Sequence, residues 1–362
     1  MAYGATLTLP TITGSHTDFP IVLKESDFPT AAKDGGTNSL LNGGGDLRAY
    51  TSDAKTTQLP LDVVTFVTGG APDIVVWVKV PTAATGNTVY IEADSVATTQ
   101  PAVTNTYGRN AVWSDYEAVL HLNESGNGTA GEFVDSTGNG YDGQLTTGSS
   151  LSSVSTGHPF GSTWADFTKA EAITLASSGG LVANTAYTIS IWADVDESDN
   201  GDGIFSNRYS SSDRDWTQLS ASRRFLARGA SVSDSYTWGD RPLVNEYVAG
   251  THDSTELILY ANGVELGKDT TMSAGETIAS HLDFRIGTYY QTVSDFRYNG
   301  RAGEARVRQS VLSASWLLTE NDNQGDTAAW TTASSWADTG VAPSTAWAND
   351  EYYKTLLSGN SL

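Results

Sequence analysis

The chain has 362 residues, more than one ordinary β-sandwich needs, so we expect two domains with additional segments. Its formal net charge of −22 argues against a nucleic-acid partner, because an acidic surface repels phosphate backbones. It contains no cysteine, which excludes disulfides, thiolate catalysis and cysteine-bound metals. Solubility in a salty medium explains the acidic charge, and so do cations bound to the surface; both interpretations stay open.

The composition favours sheets over helices. There are 36 glycines, Thr, Ser, Ala and Val are frequent, and only 17% of residues are charged. Long helices use Leu, Glu, Lys and Arg instead. No apolar run of about 18 residues is present, so no membrane-spanning helix is expected. The N-terminus lacks the basic and apolar segments of a secretory signal, and residues 1–17 are predicted to form a polar arm.

The first domain is predicted over residues 18–100. Asp73–Val80 is almost continuously apolar, which is typical of a strand buried on both faces. Phe19–Leu23 and Leu47–Tyr50 are shorter predicted strands, separated by glycine-rich turn residues. The polar stretch 97–110 is interpreted as a linker.

The second domain is predicted over residues 111–325. Tyr187–Ala193 alternates strictly between two faces, which predicts a half-buried antiparallel strand. The dipeptide Asn262-Gly263 between two apolar segments predicts a hairpin, because both central residues of a type I′ turn need positive φ. Only Leu312–Glu320 has a helical pattern, with Ser313 as its N-cap.

The C-terminal segment 326–362 is rich in large aromatic residues but poor in aliphatic ones. A disordered tail contains few aromatics, so we expect this segment to pack on its own chain or on a neighbouring subunit. It is therefore predicted to be an assembly tail without a core of its own. Its aromatic residues are Trp330, Trp336, Trp347, Tyr352 and Tyr353.

Two sets of motifs resemble known families. The first set resembles a β-sandwich family of unknown function that precedes laminin-G-like domains, and it comprises Asp18–Leu23, Gly44–Arg48 and Ala71–Pro81. The second set resembles laminin-G-like, concanavalin A-like domains, and it comprises Tyr107–Leu122, Asp135–Gly140, Leu259–Gly263, Phe284–Gly287, Gly303–Arg308 and Trp316–Gln324. The chain departs from the first family at Ile91–Asp94, where that family often has a Tyr-Tyr-Gly-Asn-like run.

The resemblance implies an all-β protein of two β-sandwich domains. The second is expected to be a concanavalin A-like jelly roll with one short helix near its end. Domains of this kind serve glycan or protein contact in bacterial surface proteins and phage virion proteins. The resemblance does not imply catalysis, because fold alone does not determine function.

The loop Asp135–Gly140 is the candidate metal site. Ca²⁺ binds hard oxygen ligands, and Asp135 and Asn139 supply them from a glycine-rich loop. By resemblance, Glu304 on a late strand would complete a structural calcium site. The alternative is a plain Asx turn without an ion, because Asp, Asn and Gly also form turns by themselves.

Four aromatic residues are candidates for glycan binding. Trp216 and Trp238 stand beside charged residues, and Tyr289 and Tyr290 form a pair in a loop-like stretch. Exposed aromatic faces with polar neighbours are suited to sugar rings. The alternative is that these residues pack in the core or at its rim.

The sequence does not favour an enzyme. Glycosidases of the concanavalin A-like fold place carboxylates on alternate residues of one strand. The nearest match, Glu92 and Asp94, lies in the first domain. His121 lies in an apolar strand and is interpreted as a core histidine. No His-Glu-x-x-His, Gly-x-Ser-x-Gly or phosphate-binding glycine motif is present.

We therefore expect a non-enzymatic phage virion protein, either a tail-fibre or tail-tip subunit or a capsid-decoration or head-fibre subunit. It would form a homo-oligomer with other virion subunits, be exposed on the virion and attach to a host-surface glycan. One alternative is an extracellular, cell-surface carbohydrate-binding adhesin of a bacterium. A second is a glycoside hydrolase of concanavalin A-like fold. No nucleic acid and no membrane insertion are expected.

Overall fold

Antiparallel strands form nearly all of the structure, which is a computed structural model. It describes residues 2–154, 163–176, 178, 181, 186–195, 203–207, 216–220, 224–228, 233–237, 243–253, 255–270, 283–288, 297–325 and 328–339. Within these ranges no helix has both the length and the apolar character needed to cross a bilayer.

The elements of the N-terminal region are seven strands, a 3₁₀ turn and one short helix. They are β1 (Tyr3–Thr8), β2 (His16–Lys24), the 3₁₀ turn Glu25–Asp27, α1 (Thr30–Lys33), β3 (Leu47–Tyr50), β4 (Gln58–Leu59), β5 (Leu61–Val67), β6 (Asp73–Ala83) and β7 (Thr88–Ala93).

The remaining elements follow a short helix at the domain boundary. They are α2 (Arg109–Val112), β8 (Ala118–Leu120), β9 (Gly143–Thr147), β10 (Ser152–Val154), β11 (Trp164–Thr168), β12 (Ala172–Leu175), β13 (Tyr187–Val195), β14 (Gly203–Ser206), β15 (Trp216–Ser220), β16 (Arg224–Arg228), β17 (Ser233–Thr237), β18 (Glu246–His252), β19 (Leu257–Ala261), β20 (Val264–Asp269), β21 (Arg285–Ile286), β22 (Asn299–Arg308), α3 (Ala314–Gly325), β23 (Thr332–Ala333) and β24 (Ala337–Asp338).

The first sandwich consists of two facing sheets. One has the order β23-β1-β7-β3-β4, with β24 also paired to β1, and the other has the order β2-β6-β5. As predicted, the apolar strand β6 is central, and Ile74, Val76 and Val78 are buried on its core side. Its other face is also covered, because Trp77 packs against Trp113 at a ring distance of 5.1 Å.

Residues 1–17 do not form the predicted polar arm. Tyr3–Thr8 pairs along its whole length with β7, and His16 already belongs to β2. Ala5 and Leu7 point into the core and are almost fully buried, while Thr6 and Thr8 are less so. This alternation is that of a half-buried strand, and six residues are enough because β7 provides a paired edge.

The jelly roll, β8 to β22, packs an eight-stranded sheet on a seven-stranded sheet. The first has the order β10-β11-β22-β13-β18-β19-β20 with β8 paired to β22, and the second has the order β17-β16-β15-β14-β21-β12-β9. Their inner faces enclose one apolar core that includes Phe167, Tyr187, Phe205 and Phe225. The predicted all-β class, the jelly roll and the short helix near its end are thus confirmed.

Strand β13 is buried on both faces, whereas the sequence predicts a half-buried strand. All nine of its residues are buried. Ile189 and Ile191 face the jelly-roll core, and the opposite face is covered by α3, where the Trp192 indole N–H donates to Gln324 Oε1 at 2.6 Å. A polar face of Thr and Ser is thus covered by another part of the chain, which alternation alone does not reveal.

The helix α3 joins the two domains. Ser313 caps it as predicted, since its Oγ accepts the Trp316 N–H at 3.2 Å. At its other end, Asn323 Oδ1 accepts the Val22 N–H at 2.7 Å and its Nδ2 donates to the Val22 carbonyl at 3.0 Å. One side chain thus pairs with the edge of β2 as a neighbouring strand would.

The described part of the C-terminal segment, 328–339, lies on the first sandwich. Trp330 is 7% exposed in the core, and Thr331 donates to the buried Asp27 through its N–H at 2.7 Å and its hydroxyl at 2.9 Å. The Trp336 indole donates to the Asn38 carbonyl at 2.7 Å. The two short strands beyond Trp330 then extend the edge of β1. The other aromatic residues of the tail lie outside the described residues: Trp347, Tyr352 and Tyr353.

The predicted hairpin is present at Asn262-Gly263, where φ is 51° and 73°. A Cβ on Gly263 would lie 2.3 Å from the Leu318 Cα of α3. We expect Gly263→Ala to lower the free energy of unfolding by more than the roughly 1–2 kcal/mol that a left-handed residue costs, because the helix must also move. Gly43→Ala is the matched control, since Gly43 has φ 84° with nothing within 4 Å of the added atom. Equal losses in urea unfolding would contradict this packing argument.

Candidate functional site

A polar cleft lies on the outer face of the seven-stranded sheet, across β9, β12 and β21. Ile173 and Ile286 are paired and face the core of the jelly roll. Thr174 and Arg285 are also paired, and as the alternate residues of the same strands they belong to the outer face. Alternation along the strands thus places a row of polar side chains over an apolar core.

The cleft has a volume of about 280 Å³. Its threonines provide hydroxyl groups at close spacing, and Thr146 Oγ1 and Thr174 Oγ1 are hydrogen-bonded at 2.7 Å. Each hydroxyl both donates and accepts. The residues that line the cleft are Thr146, Thr147, Ala172, Thr174, Asp283, Arg285, Thr288 and Arg297.

Two arginines give the cleft its charge. Arg285 is 5% exposed and lies on β21, between β12 and β14. Arg297 is half-buried, and its Nη1 donates to the Ala170 carbonyl at 2.8 Å. Asp283 is the acidic residue among the described lining residues. The cleft therefore offers guanidinium and hydroxyl donors to a bound molecule.

Of the four aromatic residues predicted from the sequence to bind glycan, the structure describes the backbone of one. Trp216 is the first residue of β15, paired with Arg228, in the same sheet two strands from β21. Trp238, Tyr289 and Tyr290 lie outside the described residues. Their glycan-binding role stays a prediction.

The threonines and arginines of the cleft are not among the site residues predicted from the sequence. Arg285 stands within Phe284–Gly287, a motif that by resemblance indicates the fold and no site. The signal that could have found this residue is an arginine at an outward position of a short apolar strand.

In the loop predicted to bind calcium, Asp135 is occupied by hydrogen-bond donors. Its carboxylate accepts the N–H groups of Val119 at 3.1 Å and Tyr141 at 3.2 Å, and the Thr137 hydroxyl at 2.7 Å. Asn139 Nδ2 donates to the Glu117 carbonyl at 3.0 Å. These are the contacts of an Asx turn that ties the loop to β8.

The carboxylate of Glu304 is held by two basic side chains, those of His121 and Arg306. Glu304 is 2% exposed, and its carboxylate contacts His121 Nδ1 at 2.8 Å and Arg306 Nη2 at 2.8 Å. Its neighbour Ala305 faces the jelly-roll core instead, and pairs with the strand that precedes the loop. The described residues contain no group of three or more His, Asp or Glu placed to hold a metal ion.

The calcium site of Asp135, Asn139 and Glu304 stays a prediction, and a chelator tests it. An ion that binds only the folded state raises the melting temperature, so EGTA is expected to lower it in the wild type and to have no effect in Asp135→Ala. Differential scanning calorimetry measures both. An unchanged melting temperature of the wild type in EGTA would leave the ion-free turn as the correct interpretation.

Comparison with known proteins identifies the domain that carries the cleft. Residues 167–318 match the concanavalin A-like lectin/glucanase superfamily in its laminin-G form. This part of the chain is a concanavalin A-like jelly-roll domain. A search of curated proteins finds no match to the chain.

Solved structures similar to the chain include domains of carbohydrate-active proteins. Domain 4 of AbnA, a GH43 extracellular arabinanase from Geobacillus stearothermophilus solved with arabinotriose, is 18% identical over 57% of this chain and 98% of that chain, with a TM-score of 0.46. The CBM40 of the Ruminococcus gnavus IT-sialidase, bound to α2,3-sialyllactose, is 18% identical over 38% of this chain and 83% of that chain, with a TM-score of 0.34. A Trypanosoma rangeli sialidase is 12% identical over 65% of this chain and 40% of that chain, with a TM-score of 0.42.

A second polar group, the charged junction, lies buried between the concanavalin A-like domain and the first sandwich. We define it by five residues that are each 7% exposed or less: Asp62, His121, Glu304, Arg306 and Glu320. His121 bridges two of the carboxylates, with Nδ1 on Glu304 at 2.8 Å and Nε2 on Asp62 at 3.0 Å. Arg306 bridges Glu304 at 2.8 Å and Glu320 at 3.3 Å.

Aromatic residues surround the charged junction. The guanidinium of Arg306 lies 4.4 Å from the ring centre of Trp77 and 4.9 Å from that of Trp113. The Trp113 indole donates to Asp62 at 2.7 Å, and the hydroxyls of Tyr116 and Tyr247 donate to Glu320. Burial and the nearby Glu320 raise the pKa of both tyrosines above the ordinary range, so they stay donors.

His121 is charged in this setting. Burial by itself lowers its pKa, but the Glu304 and Asp62 carboxylates outweigh burial and raise the pKa to about 10. The five residues of the charged junction are buried, and their contacts run between the domains. The interpretation of His121 as a core histidine therefore agrees with its placement, and its role is to join the two domains.

Proposed function

We propose that this protein acts by binding carbohydrate, through the cleft across β9, β12 and β21 of its concanavalin A-like domain. The observation that carries the proposal is the cleft itself, which is lined by threonine hydroxyls and guanidinium groups on a rigid sheet. Sugar hydroxyls need both donors and acceptors, and this lining supplies them. A volume of about 280 Å³ suits a short stretch of glycan.

The number of carboxylates among the described lining residues fits a binding site better than a catalytic site. Glycosidases use a pair of carboxyl groups that flank the scissile bond. Asp283 is the one carboxylate among the described residues that line the cleft. The pair Glu92 and Asp94, noted in the sequence, belongs to the first sandwich, and Glu92 forms a salt bridge with Lys55 there.

A matched pair of variants tests the binding site. Thr174→Val removes a hydroxyl from the cleft without changing the size of the side chain, and we expect it to weaken glycan binding about three- to tenfold. Thr82→Val removes the same group from a groove of the first sandwich and should leave affinity unchanged. Glycan-array screening followed by calorimetry measures both. Binding unaffected by Thr174→Val would contradict the proposed site.

The biological setting that we propose is the surface of a phage particle, where the cleft would face host glycans. The support is the C-terminal segment, whose short strands β23 and β24 extend the edge of β1 with exposed residues. Exposed sheet edges are where subunits pair. Immunodetection of the protein in purified particles tests this proposal, and its detection on bacterial cells without particles would favour the adhesin alternative.

A further inference from the structure

We infer that the cleft of the concanavalin A-like domain selects an anionic saccharide, one whose sugar carries a carboxylate or a sulfate. This inference rests on the proposed function and adds the chemical class of the ligand. It starts from charge. The chain as a whole is strongly acidic, with 42 Asp and Glu against 20 Lys and Arg.

The cleft reverses that balance. Its described lining residues include two arginines and one aspartate, a formal charge of +1. The groove of the first sandwich provides a comparison, because the residues that line it are all uncharged. Positive charge therefore exceeds negative charge among the described residues of this cleft, in a protein where a random patch would be acidic.

Arg297 is held so that it can bind an anion. One of its terminal nitrogens donates to the Ala170 carbonyl at 2.8 Å, which restrains the guanidinium. Within the described part of the chain Arg297 forms no salt bridge, so its charge is not neutralised there by a protein carboxylate. A half-buried guanidinium with further N–H donors is suited to an oxyanion, which it can bind through two parallel hydrogen bonds.

Arg285 and the threonines complete the arrangement. Arg285 adds a second guanidinium from β21, a strand paired on both sides, so its backbone is fixed by the sheet. Thr146 and Thr174 stand on the neighbouring strands β9 and β12. The arginines would hold the acidic group while the threonine hydroxyls contact the sugar hydroxyls. Fixed donors that need no rearrangement favour selective binding.

Calorimetry with matched oligosaccharides tests the inference. The probes are a neutral oligosaccharide, its uronate counterpart and its sulfated counterpart. We expect at least one acidic probe to bind about tenfold or more tightly than the neutral one, and to weaken with added salt. Arg297→Gln should weaken the acidic probe about tenfold and leave the neutral one unchanged. Arg297→Lys keeps the charge but loses the planar guanidinium, so its affinity for the acidic probe should lie between those of the wild type and Arg297→Gln.

The control is Lys268→Gln, which removes one positive charge from the other sheet of the same domain. Lys268 is exposed and paired with Glu256 at 3.0 Å, so this variant should bind all probes like the wild type. Preference for the uronate or for the sulfated probe supports the inference and identifies the acidic group. Equal binding of neutral and acidic probes, unchanged by Arg297→Gln, overturns the inference but leaves glycan binding intact. Failure of all saccharides to bind the wild type overturns the proposed function itself.

Discussion

Replacing Arg306 by methionine is expected to lower the free energy of unfolding by about 3–5 kcal/mol, because the buried Glu320 loses its counterion and the buried Glu304 keeps only His121. Arg306 is 2% exposed and contacts Glu304 and Glu320, which are equally buried. Methionine keeps most of the apolar stem but loses the guanidinium that lies over Trp77, so the loss is mainly electrostatic. Urea unfolding followed by tryptophan fluorescence measures the change.

The control for Arg306→Met is Lys268→Met at an exposed ion pair. The side chains of Lys268 and Glu256 are 47% and 32% exposed, and such pairs contribute only about 0–1 kcal/mol. Because Arg306 lies between the two domains, we also expect the variant to melt in two calorimetric transitions where the wild type melts in one. A loss as small as that of the control would mean that the charged junction does not stabilise the folded chain.

The elements that the sequence predicted well are those specified by neighbouring residues. The type I′ turn at Asn262-Gly263 needs two positive φ values, and the chain places there the two residue types that accept them. Ser313 caps a helix that begins at the next residue. The apolar run of β6 is buried on both faces, as its composition indicates. In each case the physical cause lies within a few residues of the feature.

The elements that the sequence predicted poorly depend on distant partners. Tyr3–Thr8 is too short and too rich in small residues to stand out, and it becomes a strand because β7 pairs with it. The outer face of β13 is polar in sequence but buried, because α3 covers it from 132 residues away at the Trp192–Gln324 contact. No local pattern contains that information.

The charged junction and the cleft also depend on residues that are distant in sequence. Asp62 and His121 are 59 residues apart, and His121 and Glu304 are 183 apart, so no spacing motif could have predicted the charged junction. Glu304 was assigned to calcium by resemblance, while the structure places its carboxylate between His121 and Arg306. A sequence-based prediction of a sugar site follows aromatic residues, whereas the described lining of the proposed cleft is mainly threonine and arginine.

The second large effect that we expect is a loss of stability between pH 7 and pH 9 that depends on His121. Its folded-state pKa of about 10 lies above its ordinary value of 6.5. A histidine whose pKa is raised on folding makes its whole contribution to stability below pH 6.5. That contribution disappears as the pH rises to about 10. Only the charged imidazole has two N–H groups, so it can donate to Asp62 and Glu304 together, whereas the neutral ring can donate to only one of them. The free energy of unfolding should therefore fall by up to about 1.4 kcal/mol per pH unit in this window.

The variant His121→Gln should remove this slope, whatever its effect on stability at a single pH, because glutamine does not titrate. His16→Gln is the control: burial lowers the pKa of His16, so it is already neutral above pH 7 and contributes no slope there. Glu304 does not add to the slope between pH 7 and pH 9. Burial raises its pKa, but His121 and Arg306 outweigh burial and lower the pKa below its ordinary value. The stability that Glu304 contributes is therefore lost only in acid. Urea unfolding at several values between pH 6 and pH 9 measures the three slopes. If His121→Gln and the wild type lose stability in parallel over this range, then another group titrates and His121 does not hold the two domains together as a cation.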